Sequence, residues 1–204
     1  MDSTSQAGPR REEMQAFILA GGESRRVGRD KARLLVRGEP VARRLAARLG
    51  PHVSEVRLVA KRGQGLEDLG LPMLYDASEE RALVHGIRAA LQASGPAWRF
   101  LLACDMPDVD ASVLRELWRV AHSAGAPGSC PQKEGCEMLE PLPSLWHARV
   151  ARALRDDWGL AAQEWARRAG LAVWRVSVAR AATLDNLNTP EKWRAYEGRA
   201  GAHP

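Results

Sequence analysis

Short apolar runs at 17–20, 56–60, 72–75 and 100–104 alternate with segments whose apolar residues recur at helical spacing. No other feature constrains the fold so tightly. Runs of four or five residues with little polar interleaving describe strands buried on both faces, as in a parallel sheet covered by helices. Val41, Leu45 and Leu49 share one face of a helix that follows Pro40 and stops before Gly50-Pro51. Leu83, Ile87, Ala90 and Leu91 mark a second helix, and Leu114, Leu117, Trp118 and Ala121 a third. The expectation is an α/β chain with a three-layer, mainly parallel, Rossmann-like sheet. From 125 to 147 Gly, Pro, Cys and Glu break the rhythm and predict irregular strands or a hairpin. A helical stretch over 148–168, a strand over 171–178 and a short helix after Pro190 complete the pattern. Residues 15–200 read as a single domain, whereas 1–14, polar and without periodicity, read as a disordered tail with too little apolar content to dock.

Composition narrows the function classes. The 204 residues can bury roughly 70% of their extended-chain surface, so the core needs no covalent staples. No stretch approaches the ~20 apolar residues of a membrane span, and the polar start MDSTSQ does not predict a leader peptide. Three cysteines in no metal or redox spacing suit a reducing, cytoplasmic compartment. The net charge is +5, with 26 Arg but only 4 Lys. These basic residues are scattered and do not interleave with aromatics, which argues against nucleic acid and fits a small polyanion.

In an open α/β sheet, ligands bind at the carboxyl ends of the strands, which directs attention to the loops after Ala20, Tyr75 and Cys104. The first reads LAGGESRRVGRDK from Leu19 to Lys31. Gly21 and Gly22, directly after a buried strand, let backbone N–H groups approach an anion, and Arg26 and Lys31 add positive charge. The spacing is neither GxGxxG nor GxxxxGK[ST], so this is no dinucleotide fingerprint or P-loop. A tight turn with solvated charges is the competing description. Asp105 ends the 100–104 strand, where one carboxylate suits a Mg²⁺ otherwise held by water and phosphates, or caps a helix. Cys104 reads as a small buried hydrophobe. Thr189-Pro190-Glu191 makes a helix N-terminus, which leaves Asn186 and Asn188 as turn residues or donors to a ligand.

The first loop resembles the LAGGxSxRMGxDK signature of the molybdenum cofactor guanylyltransferases, with Val27 in place of Met. Leu102–Pro107 is similar to that family's metal-binding CDMP segment. Glu140-Pro141-Leu142 resembles its PL motif, and Asn186–Glu191 its closing N-[IV]-N-T-P-E. The resemblance spans about 16–197 and implies a nucleotide-diphospho-sugar transferase type of fold. It further implies transfer of GMP from GTP to molybdopterin-bound molybdenum with release of pyrophosphate and Mg²⁺ assistance. A molybdoenzyme or chaperone would receive the product. By resemblance, Lys31, Arg26 and Asp105 are catalytic, and Asp105 holds the metal. Leu19, Ala20, Gly21, Gly22, Lys31, Asp76, Asp105, Asn186 and Asn188 bind the substrates. Two departures bear on the base. Ala82-Leu83-Val84-His85-Gly86 stands where the family has Gly-Pro-Leu-x-Gly, and Val59 where Asn is common. Phosphate recognition is expected intact and guanine preference narrowed. The alternatives are a nucleotidyltransferase of the same fold with another base or acceptor, such as a cytidylyltransferase, and a non-catalytic nucleotide-binding protein.

Overall fold

The computed structural model describes residues 8–20, 30–78, 80, 82–153 and 160–201. Its main sheet contains β1 (Met14–Leu19), β4 (Glu55–Lys61), β5 (Met73–Asp76), β6 (Trp98–Ala103), β7 (Gly128–Lys133), β8 (Ser144–His147) and β9 (Ala172–Val176). Their spatial order is β5-β4-β1-β6-β8-β7-β9, and only β8 runs antiparallel. A separate hairpin joins β2 (Leu35–Val36) to β3 (Glu39–Pro40) through Arg37 and Gly38, both at positive φ. Helices α1 (Val41–Leu49), α2 (Leu83–Gln92) and α3 (Ala111–Ser123) coincide with the three amphipathic patterns in the sequence.

Consecutive strand residues face opposite sides of a sheet, and β6 shows which helix lies where. Arg99 turns to α2, donating from Nε to the Ala90 carbonyl (3.2 Å) and from Nη2 to that of Ala93 (2.7 Å). Phe100 pairs with Leu145, and Leu145 with Ser129, whose hydroxyl donates to the Leu117 carbonyl of α3 at 2.6 Å. Helices therefore cover both faces. Between them Phe17, Ile18, Leu58, Phe100, Leu101, Leu102 and Leu145 are fully buried, as the uninterrupted apolar runs require.

The structure corrects the N-terminal expectation. Met14 is fully buried and already pairs with Trp98, and residues 11–13 form a 3-10 turn. Arg11 Nε donates to the Val53 carbonyl at 2.9 Å. Arg11 finds its partner outside the segment and Arg10 pairs with Glu12 and Glu13 within it, so low apolar content did not leave residues 11–14 undocked; residues 1–7 lie outside the described residues. The stretch 125–147 became two full members of the sheet. Gly128 permits this, because a Cβ there would lie 2.1 Å from the Leu145 carbonyl oxygen. The helical stretch over 148–168 contains α4 (Val150–Ala153) and α5 (Ala162–Arg168), with 154–159 outside the described residues. β9 ends at Val176, two residues short of the expected strand, and is followed by α6 (Val178–Ala181) and α7 (Pro190–Gly201). Among the described residues no helix is long and apolar enough to cross a membrane.

Candidate active site

The chain order reverses at β1: β4 and β5 extend the sheet to one side, and β6 returns to the other. The crevice outside the carboxyl ends of β1 and β6 is thus the topological switch point, where open α/β sheets bind ligands. Two backbone bonds prolong the sheet into it. Ala20 N donates to the Val59 carbonyl (2.8 Å), and Cys104 N to that of Leu19 (3.1 Å). Leu19 and Ala20 are buried, and their chain leads directly into 21–29. Gly21, Gly22 and Arg26 lie outside the described residues.

The far end of that loop is fixed locally. Asp30 accepts from Ala32 N at 3.0 Å and caps the 3-10 turn Lys31–Arg33. From this turn Lys31 Nζ reaches Asp105 Oδ2 at 2.7 Å, both side chains being mostly buried. A residue after β1 and a residue after β6 thereby meet across the switch point. Asp105 is not the helix cap that its sequence context also allowed. Asp110 fills that role for α3, accepting from Ser112 N and Val113 N. Cys104 next to it is inert: burial foremost, then the charges of Asp105 and Asp30, push its thiol far above the usual range.

A second lysine–aspartate pair stands one strand further out. Lys61, at the end of β4, donates to Asp76 Oδ2 at 2.6 Å, to the Ser78 carbonyl at 2.6 Å and to the Glu80 carbonyl at 2.7 Å. Asp76 is buried and its other oxygen accepts from Ser78 N at 2.9 Å. The connection then enters α2 at Ala82, whose φ of −128° suits any residue, so alanine is unstrained where a glycine was the family norm. His85 in the first turn is buried, with Nε2 3.2 Å from the Glu80 carboxylate. Gly86 packs flat on the sheet, its missing Cβ position 3.5 Å from Leu19 Cδ2. A cleft of about 640 Å³ opens between Ala82–His85, Pro141 and Leu160–Gln163, within the size range of small-molecule sites.

Sequence reasoning missed Lys61 and also Gln64. The Gln64 amide nitrogen donates to the Ala20 carbonyl at 2.9 Å and to Asp30 at 2.5 Å, tying together both shoulders of the loop over 21–29. The signal for Lys61 was present in the scarcity of lysine in an arginine-rich chain.

The Asn186–Thr189 segment is brought to the same crevice. Leu187 N donates to the Asp105 backbone carbonyl at 2.8 Å, and the buried Asn186 Oδ1 has no partner among the described residues. Asn188 is exposed. Beyond it, Tyr196 on α7 donates to Asp108 at 2.7 Å, bracing the loop that carries Asp105.

The MobA-like NTP transferase domain matches residues 16–173. The molybdenum cofactor guanylyltransferase of Cereibacter sphaeroides is 37% identical over 185 residues, covering 86% of this chain and 91% of that protein. The probable molybdenum cofactor guanylyltransferase of Chloroflexus aggregans is 29% identical, with 92% and 95% covered. Among solved structures, molybdopterin-guanine dinucleotide biosynthesis protein A from Archaeoglobus fulgidus aligns with a TM-score of 0.71 at 22% identity over 92% of this chain and 99% of that one. A CMP:2-keto-3-deoxy-manno-octonic acid synthetase complexed with CTP aligns at 0.67 with 11% identity, over 94% and 98%. These two likenesses establish a shared nucleotidyltransferase fold, and the match over 16–173 establishes membership: this chain belongs to the MobA-like NTP transferase family.

Proposed function

We propose that this chain transfers GMP from GTP to the terminal phosphate of molybdopterin-bound molybdenum, in the cytoplasm, and releases pyrophosphate. The observation that carries this reading is the meeting of Lys31 and Asp105 across the switch point of a sheet whose relatives are named for that reaction. An acceptor phosphate oxygen attacks the α-phosphorus. The bond to the bridging α–β oxygen breaks, and its electron pair leaves with pyrophosphate. A phosphate monoester is largely ionised at neutral pH, so the attack needs no general base. Positioning and charge neutralisation supply the catalysis. Lys31 sets a compact ammonium where the triphosphate gains charge, and Leu19, Ala20, Gly21, Gly22 and Arg26 place the loop that cradles it. Asp76 shapes the base side, while Asn186 and Asn188 face the acceptor.

Asp105 offers hard carboxylate oxygen at the end of β6, and among the described residues no cluster of three or more His, Cys, Asp or Glu gathers there or elsewhere. That donor set fits magnesium, which takes one or two carboxylates and completes its shell with water and phosphate oxygens. Held by Asp105, Mg²⁺ would supply further charge neutralisation to the triphosphate.

Guanine is told from other bases by partners for O6, N1 and N2. Backbone groups beside Ala82 serve this purpose whatever the side chain, since the path there is unstrained. Each missing partner costs on the order of 1–3 kcal/mol in selectivity. The test measures pyrophosphate release with molybdopterin acceptor and GTP, CTP or ATP, with and without Mg²⁺. GTP should show the highest kcat/KM. A preference for CTP or ATP rejects guanylyl transfer, and no release with any nucleotide rejects transfer altogether.

A further inference from the structure

We propose that Lys61 is the positioning residue that fixes the base-reading segment of this site and so sets nucleotide choice. The inference rests on the nucleotidyltransferase reading and adds a specificity determinant to it.

An ammonium carries three N–H donors and no acceptor. Lys61 directs these donors to three acceptors of one short connection: the Asp76 carboxylate and the carbonyls of Ser78 and Glu80. The same connection is bonded to itself, Ser78 N to Asp76 Oδ1 at 2.9 Å and Glu80 N to Ser78 Oγ at 3.2 Å. Its last carboxylate lies against His85 in the first turn of α2. A continuous set of contacts therefore runs from the end of β4 to the start of the helix beside the cleft.

The sequence of this connection, Ala-Ser-Glu-Glu-Arg-Ala over 77–82, contains neither Gly nor Pro. Without Gly or Pro to set its path, the connection is held by the local side-chain turns of Asp76 and Ser78 and by Lys61. Lysine suits the position better than arginine, because converging acceptors match a compact ammonium and not a planar fork. With its donors engaged, Lys61 does not read the base itself. It holds in place the backbone that does. The Lys31–Asp105 pair lies on the other side, between the ends of β1 and β6, so loosening the Lys61 clamp should alter binding and choice of base more than turnover.

The experiment compares Lys61→Met and Lys61→Arg with the unaltered protein, measuring kcat and KM for GTP and ATP with molybdopterin, alongside melting temperature. In Lys61→Met the KM for GTP should rise about tenfold and the GTP-to-ATP ratio of kcat/KM fall about tenfold, with kcat within about twofold. Lys61→Arg keeps the charge beside Asp76 and should lose about threefold in that ratio. A purely structural lysine would shift the melting temperature and leave the ratio alone. If Lys61→Met does not fold, the ratio in Lys61→Arg decides. An unchanged ratio in the folded variants overturns the proposal, as does an equal loss of kcat for every nucleotide at constant KM. An unaltered protein that prefers another nucleotide refutes guanylyl transfer alone, and the ratio is then taken for that nucleotide. One with no preference overturns both.

Discussion

Lys31 and Asp105 can be separated into their structural and chemical roles by a double-mutant cycle of Lys31→Met and Asp105→Asn. At 2.7 Å, two unit charges attract by about 6 kcal/mol at an effective dielectric near 20, and the dehydration of both ions cancels most of this. Removing one partner takes from the other its ion pair, which costs about 3–5 kcal/mol in a sealed interior. Here the side chains keep 19% and 13% exposure, so water recovers part of the loss and about 2–3 kcal/mol is expected for each single variant. In a chain of this length that is a fall of about 5–10 °C in melting temperature. The double variant removes both charges of the pair and should melt within about 1 kcal/mol of the unaltered protein. Activity should not follow. Each single variant should lose about 10²–10³-fold in turnover, and the double variant should be no better than the worse single one. Thermal melts and pyrophosphate release on the same samples read both quantities. A double variant that regains turnover along with stability would show that the pair is only structural.

Two further outcomes concern the scaffold. Gly128→Ala should cost about 3 kcal/mol, because the new methyl meets backbone at the Leu145 carbonyl, which cannot rotate away as a side chain would; chemical denaturation showing a loss below about 1 kcal/mol would contradict the contact. His147 is held below the usual histidine range, by burial foremost and then by Arg149 and Arg99. Above about pH 6.5 both folded and unfolded states carry a neutral ring and the residue adds no pH dependence. As pH falls below that value the unfolded chain binds the proton first, so stability should decline, and His147→Gln should flatten the decline in melts taken between pH 5 and 8. An unchanged slope in the variant would assign the acid sensitivity elsewhere.

The strands β1, β4 and β6 were legible because strands buried on both faces are largely apolar, β5 because it keeps a short apolar run although it is a half-buried edge strand, and α1 because its apolar stripe lies between a proline and a glycine. The loop bearing Lys31 and the Asp105 segment were legible from the order of residues alone. The scarcity of lysine singles out Lys61, but its role was not legible, because its three partners lie 15 to 19 positions away and are a buried carboxylate and two carbonyls, which no side-chain pattern announces. Met14 was missed for a related reason: a single apolar residue after Arg-Arg-Glu-Glu has no period to join. β7 and β8 were legible only as irregular strands or a hairpin; their place inside the main sheet depends on a glycine accepting a neighbouring backbone, a non-local condition.

The reversal of β8 has a consequence for what this scaffold can accommodate. β7 arrives at the reactive edge with Lys133, and β8 departs from the same edge with Ser144, so the ten intervening residues begin and end beside the chemistry. The connections β1–β4, β4–β5, β5–β6 and β6–β7 join parallel strands and must cross to the opposite edge, while β8–β9 begins and ends on that opposite edge. Residues 134–143 are thus a cassette with both anchors on one rim. Lengthening or recutting it leaves every strand register untouched, and for loops of this kind doubling the length costs only about 0.6 kcal/mol. A scaffold built this way can rewrite one hairpin tip, whose Pro141 lines the cleft beside Ala82–His85, while the end of the crevice framed by β1 and β6 stays as it is.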